Sequence, residues 1–247
     1  MPEGPSILIM KEACLKFQGM KVLAAHGNAK IDFNKLVGKT IQDFRVWGKQ
    51  TFIVLEKDLA VRIHLLMFGS YSIDDQTKPE RSLRLCLEFE NGKLYYYTCS
   101  VKIFEENLDK AFDFRADVLS DDFDPKRARK KLKAQPDILL CDALLDQDIF
   151  SGVGNIIKNE VLFRIRVHPE TKIGALPPRK LTELIAEGRH YSFDFLKWKK
   201  EFTLKKHWLV YTKKTCPACQ RALTKNHCGQ TKRRTFYCET CQKRYDS

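Results

Sequence analysis

Among the 247 residues no apolar run approaches the roughly 18 that a membrane-spanning helix needs; the longest are short pieces such as Leu65–Phe68. The chain opens Met1-Pro2-Glu3-Gly4-Pro5, without the basic start or the apolar stretch of a secretory signal. Internal repeats and low-complexity linkers are also missing. Negative charge is in short supply: 31 Asp plus Glu stand against 44 Lys plus Arg, a formal net charge of +13. The deficit is local, because residues 197–247 hold fourteen Lys/Arg and three Asp/Glu. An anionic partner is therefore expected, and no membrane. At 43% apolar and 11% aromatic the chain is too hydrophobic for a solvated basic tail, so it folds.

Cysteine is plentiful. Nine cysteines in a chain without a secretory start argue against a disulfide framework and for a reducing compartment. The expected location is the bacterial cytosol, around the nucleoid, or a nucleus. Four of the nine form Cys216-Pro-Ala-Cys219 and Cys238-Glu-Thr-Cys241, separated by eighteen residues. Two such pairs at that distance make a tetrahedral thiolate site when two turns face each other, the zinc-ribbon arrangement. Four protein ligands leave no open position for water, so one structural Zn2+ per chain is expected. His227 and Cys228 lie between the pairs and are read as bystanders. Lys232, Arg233 and Arg234 beside Thr235, Phe236 and Tyr237 suit a hairpin that clamps phosphates, although a solvated basic face has the same composition.

Periodicity divides the chain into an α+β protein. Residues 1–118 read as a β-sandwich: Leu83, Leu85, Leu87 and Phe89 alternate with polar neighbours, and Asn91-Gly92 is a hairpin turn leading to a return strand over Lys93–Cys99. Thr51–Glu56 and Leu59–His64, joined by Lys57-Asp58, make a second hairpin. Ile7, Met10, Cys14 and Phe17 share one face of a helix. Residues 124–205 read as helical. Asp124-Pro125 starts a basic helix to about Lys133, followed by helices over Ile138–Leu145, Val153–Ile165 and Pro178–Lys199. Residues 210–247 form the ribbon, and the acidic stretch Asp117–Asp124 is the expected boundary.

The amino end has its own chemistry. Removal of Met1 leaves Pro2 as a secondary amine whose pKa of about 7.7–8.0 keeps part of it neutral and nucleophilic at pH 7. Such an amine attacks a sugar's anomeric carbon to give an iminium, an electron sink that permits elimination, with Glu3 in reach as acid or base. Met-Pro-Glu is also an ordinary start, and these three residues alone do not decide between the readings.

Five stretches in fixed order do. Met1-Pro2-Glu3-Gly4-Pro5, Gly48-Lys49, His64-Leu65-Leu66-Met67-Phe68-Gly69, Leu144-Leu145-Asp146-Gln147 leading to Gly152-Val153-Gly154-Asn155, and the four-cysteine ribbon together resemble the formamidopyrimidine-DNA glycosylase / endonuclease VIII family over nearly the whole chain. The resemblance implies a helix-two-turns-helix domain after the sandwich. It implies a monomeric base-excision-repair enzyme on damaged double-stranded DNA, removing the damaged base and then cutting the strand by β,δ-elimination. Pro2 would form the Schiff base, Glu3 would assist ring opening, and Lys49 would contact phosphate and aid proton transfer. His64, Asn155 and Arg233 would hold backbone phosphates. Without the family, Asn155 is equally a helix cap and His64 equally a core histidine. Leu66, Met67 and Phe68 suit a wedge that fills the gap left by an everted base, or core packing at a strand end.

Departures from the family pattern bear on the substrate. Thr98–Phe104 lacks the Asp-Pro-Arg-Arg-Phe-Gly-like loop of the formamidopyrimidine branch, and Glu201–Lys214 is too short to cover oxidised guanine. The opening pentapeptide is closer to the endonuclease VIII branch, so oxidised pyrimidines are the expected substrate. Oxidised purines, or a catalytically silent zinc-ribbon DNA-binding protein, are the alternatives.

Overall fold

The computed structural model describes residues 2–56 and 58–246; Lys57 of the expected turn and Met1 lie outside them. The chain divides into two compact units, 1–113 and 114–247. The division falls just before the acidic stretch, and the ribbon belongs to the second unit rather than standing apart.

The first unit is a β-sandwich behind an N-terminal helix. Helix α1 (Gly4–Cys14) starts with Pro5 in its first turn, where a missing N–H costs nothing. A short 3-10 turn continues it to Phe17. Ile7, Met10, Cys14 and Phe17 are all buried, as their spacing predicts. Eight strands follow: β1 (Ala24–His26), β2 (Asp43–Trp47), β3 (Gln50–Glu56), β4 (Leu59–His64), β5 (Ser70–Ile73), β6 (Leu83–Phe89), β7 (Gly92–Tyr97) and β8 (Ser100–Phe104). They form two antiparallel four-stranded sheets, ordered β2-β3-β4-β8 and β1-β6-β7-β5. Phe44, Ile53, Val61 and Ile63 of the first sheet share one core with Leu85, Leu87, Leu94 and Tyr96 of the second and with the buried face of α1. Helix α2 (Leu108–Ala111), capped by the Asn107 side chain, follows the last strand.

One strand departs from simple alternation. The β6–β7 register slips between Leu83 and Leu85, and the bulge turns Leu83 to the outer face. There it joins Cys86, Tyr95 and Tyr97 in a small separate apolar cluster. Cys86 is thus buried on the face expected to be wet.

In the second unit α3 (Pro125–Lys133) is capped by Asp124, whose Oδ1 accepts from the Lys126 and Arg127 amides. The helix expected over Ile138–Leu145 shrinks to α4 (Leu140–Ala143). Helices α5 (Asn155–Arg164) and α6 (Pro178–Lys200) pack together over a core that includes Leu144, Phe150, Ile157, Leu162, Leu184, Ile185 and Phe195. The hairpin β9 (Thr224–Cys228) and β10 (Arg233–Tyr237) closes the unit. Among the described residues no helix is long and apolar enough to cross a membrane.

Candidate active site, phosphate contacts and metal centre

In the first unit the predicted residues come from α1, the β2–β3 turn and the end of β4. Glu3 is the N-cap residue of α1: its carbonyl accepts from the Ser6 and Ile7 amides at 2.8 and 3.3 Å, and it is fully buried. Pro2 beside it is half-buried. Helix α1 packs on β2 and β3, the strands that flank Gly48-Lys49. Trp47 pairs with Gln50, so that turn has two residues. Gly48 sits at φ 57°, which the first centre of a type II′ turn requires and which a side chain there would resist.

Gln50 pairs with His64 across the β3–β4 ladder, placing Lys49 beside the end of β4. His64 is half-buried, and its pKa lies below the ordinary value, first through burial and then through the charges of Lys49 and Arg62. At pH 7 the ring is therefore neutral. Its Nδ1 accepts from the Leu66 amide at 3.0 Å, which leaves the proton on Nε2 as a donor for an anion. The same bond secures Leu66 at φ 56°. His64 is thus neither a core histidine nor a free cation; it supports the turn that follows it. Replacing Lys49 with Gln is expected to raise the His64 pKa towards about 6.5, read from the imidazole shifts by NMR; an unchanged titration would contradict the proximity.

That turn is closed by Gly69 N to Leu65 O at 2.8 Å. A Cβ on Gly69 would lie 2.2 Å from the Leu65 oxygen, so only glycine fits. The result is a closed loop joining β4 to β5 with Leu66, Met67 and Phe68 at 52%, 49% and 75% exposure. Three adjacent apolar side chains held in water exclude the core-packing reading and suit insertion into a base stack.

In the second unit Asn155 is not the helix cap. Gly154 occupies that position, without a side-chain bond, and Asn155 is the first helical residue. Its Nδ2 donates to the Arg234 carbonyl at 2.8 Å, so its amide ties the helix start to β10. Its Oδ1 is buried without a partner in the fold. The turn before α5 is shaped by Gln147, whose amide donates to the Leu145 and Val153 carbonyls and accepts from Gly152 N. Gly152 adopts φ 97°.

The polar residues of α5 face the ribbon and its approach. Lys158, fully buried, donates to Thr235 Oγ1 at 2.7 Å. Asn159 accepts from Phe236 N at 2.6 Å. Glu160 accepts from the amides of Leu209, Val210 and Tyr211 at 2.8 to 3.0 Å, while burial pushes its carboxyl pKa up. The hairpin tip is held from α4: the Asp142 carboxylate accepts from Gln230 N, Thr231 N and Thr231 Oγ1. Gly229 allows that approach, since a Cβ there would meet Asp142 Oδ2 at 2.2 Å. Asp142 thereby places Arg233, which is exposed at the start of β10. Sequence reasoning missed Asp142, for which no local signal exists. Gln147 was available, standing inside a motif already singled out.

Cys216, Cys219, Cys238 and Cys241 offer four sulfurs all within 4.8 Å of one another, with Cys219 and Cys238 Sγ at 3.5 Å. The Arg221 amide draws the Cys219 thiol down to about 7, while burial raises that of Cys238 and the Cys219 thiol pushes that of Cys241 up to about 12. Four converging sulfurs fit a structural Zn2+ and leave no place for a fifth ligand. Cys228 is buried in the helical core, and His227 is exposed with Nδ1 2.8 Å from the Lys232 carbonyl.

A β-sandwich with an exposed apolar turn is thus followed by a helical unit that ends in a four-sulfur hairpin. The formamidopyrimidine-DNA glycosylase N-terminal domain matches residues 1–102, and the formamidopyrimidine-DNA glycosylase H2TH domain matches 115–189. The chain belongs to the formamidopyrimidine-DNA glycosylase / endonuclease VIII family. It is 33% identical over 233 residues to endonuclease 8-like 3 of Xenopus laevis, covering 90% of this chain and 38% of that protein. The chain thus spans little more than a third of that relative. The formamidopyrimidine-DNA glycosylase of Chloroflexus aurantiacus is 25% identical, with 98% of both chains covered. In three dimensions the fold matches a formamidopyrimidine-DNA glycosylase of Lactococcus lactis, non-covalently bound to abasic-site DNA, with a TM-score of 0.85 at 24% identity over 98% of this chain and all of that one.

Proposed function

We propose that this chain is a bifunctional DNA glycosylase and abasic-site lyase of base excision repair, acting as a monomer on damaged double-stranded DNA, with oxidised pyrimidines as preferred substrates. The observation that carries this reading is the assembly in the first unit. Pro2 and Glu3 head a helix packed on the strands whose turn bears Lys49. Burial and then the Lys49 charge depress the pKa of His64, and His64 in turn braces the exposed Leu66–Phe68 turn.

The amine of Pro2, bared by removal of Met1, attacks C1′ of the damaged nucleotide. The base departs with the glycosidic electron pair and takes up the proton that the Pro2 nitrogen sheds, and a proton from Glu3 to the ring oxygen opens the sugar and leaves the iminium. The resulting iminium draws off the electrons released when a C2′ proton is removed and the 3′ phosphate leaves. A second elimination expels the 5′ phosphate. Lys49 and neutral His64 Nε2–H hold phosphate oxygens. Asn155 keeps one amide hydrogen for the same task, since Nδ2 has two and Arg234 takes one. Arg233 clamps a further phosphate, and Cys216, Cys219, Cys238 and Cys241 would hold the Zn2+ that would keep its hairpin folded.

Borohydride trapping on abasic duplex DNA tests the chemistry: a covalent adduct is expected with Met1-processed protein, and none would leave the silent DNA-binding alternative. Comparing release of thymine glycol with that of oxidised guanine opposite cytosine tests the substrate, with thymine glycol expected to be faster. Phe68→Ala is expected to slow base release about tenfold or more, because unstacking costs a few kcal/mol. Its melting temperature should not move, since the ring is mostly exposed; unimpaired release would remove the wedge role.

A further inference from the structure

Away from these residues, the outer face of the second sheet gathers a different donor set. Strand β1 is an edge strand of three residues whose sole sheet neighbour is β6. His26, at its end, lies directly across from Cys86, and Ala24 lies across from Glu88. Side chains two apart on a strand share a face, so imidazole, thiol and carboxylate project from the same patch. One donor atom from each of His26, Cys86 and Glu88 lies within 4.8 Å of the other two. His26 Nδ1 and Glu88 Oε1 are 3.8 Å apart. Tetrahedral zinc bonds of 2.0–2.3 Å set neighbouring donors about 3.3–3.7 Å apart. That pair is therefore nearly in place, and the thiol needs only a small inward movement.

We infer that His26, Cys86 and Glu88 form a second metal site, which takes Zn2+ with water as fourth ligand. The nitrogen, sulfur and oxygen donors match the borderline-soft character of zinc better than that of magnesium or calcium, which prefer oxygen alone. Lys93 Nζ now lies 3.1 Å from Glu88 Oε1 and is partly exposed. Its flexible stem lets the ammonium swing to water when a cation arrives. Binding there clips the short edge strand to the centre of its sheet. It also covers a Cys86 that is otherwise buried beside Tyr95 and Tyr97. The site owes nothing to the repair chemistry and is tested apart from it.

The test is zinc content of the full chain after exhaustive dialysis, measured alongside borohydride trapping. Two equivalents per chain are expected for the wild type and one for His26→Ala, with trapping unchanged. His26 is half-exposed, so its loss leaves the core intact; Glu88→Gln, also off the core, should give the same one equivalent. A melting temperature that rises with added zinc in the wild type but not in His26→Ala is the second expected readout. One equivalent in the wild type overturns the proposal, and so do two equivalents that survive both substitutions.

Discussion

Pro2→Ala protein treated with abasic DNA and borohydride is expected to give at least ~10²-fold less covalent adduct than the wild type. Alanine still supplies a terminal amine, but a primary one, whose imine must take up a proton before it can act as an electron sink. The secondary amine of proline gives a cationic iminium as it forms, and its ring fixes the direction of the lone pair. Glu3→Gln should divide the steps differently. The side chain is fully buried at the head of α1, and glutamine keeps its shape while losing the transferable proton. Base release should fall by about 10²–10⁴, with the melting temperature little changed. Undiminished adduct from Pro2→Ala, or from protein carrying one extra residue before Pro2, would sink the assignment of the nucleophile.

Cys238→Ser has the largest expected effect on stability. It removes one of four converging sulfurs and with it a zinc equivalent from the ribbon. The damage should spread, because β10 begins five residues before Cys238 and provides partners for Asn155, Lys158 and Asn159. Each buried polar group left unpaired costs about 1–3 kcal/mol. Melting should fall by more than about 10 °C, and affinity for abasic DNA should fall with it. A variant that retains both its zinc content and its melting temperature would show that the sulfurs are ordinary buried thiols.

Acid should weaken the fold through two histidines. His64 and His168 both titrate below the ordinary value, chiefly because they are buried. The unfolded chain therefore binds these protons first. Their contribution to stability is intact above about pH 6.5 and is lost as pH falls through the lower folded values. Denaturant midpoints measured from pH 7.5 downward should decline over that window, and His64→Gln should flatten the decline.

Much of this was legible because local rules and tertiary demands agree. Asp124-Pro125 caps and starts a helix wherever it stands, and the Ile7–Phe17 spacing buries one face whatever the partner. The paired cysteines carry their own geometry. What was hidden depends on residues far along the chain. Helix α5 was expected over Val153–Ile165, but residues 155–163 are all buried, and its polar side chains make sense only beside a ribbon that periodicity does not locate. Asn155 read equally as a cap and as a phosphate contact for that reason; one of its amide hydrogens goes to the Arg234 carbonyl, 79 positions later. Leu66–Phe68 stayed ambiguous because hydrophobicity is the same for a wedge and for a core; their exposure removes the core reading alone. The bulge that buries Cys86 likewise follows from the β6–β7 register, which no single strand encodes.

The ties between α5 and the ribbon also order events in time. Lys158 and Asn159 find their partners 77 positions later. During synthesis the Thr235 and Phe236 groups that bond Lys158 and Asn159 arrive long after this helix has left the ribosome. Long-range closures of this kind are slow to form. A chain interrupted before β10 would not simply be the same fold short of one hairpin. Its helical unit would be left with a solvent-seeking seam through the core, a substrate for quality control.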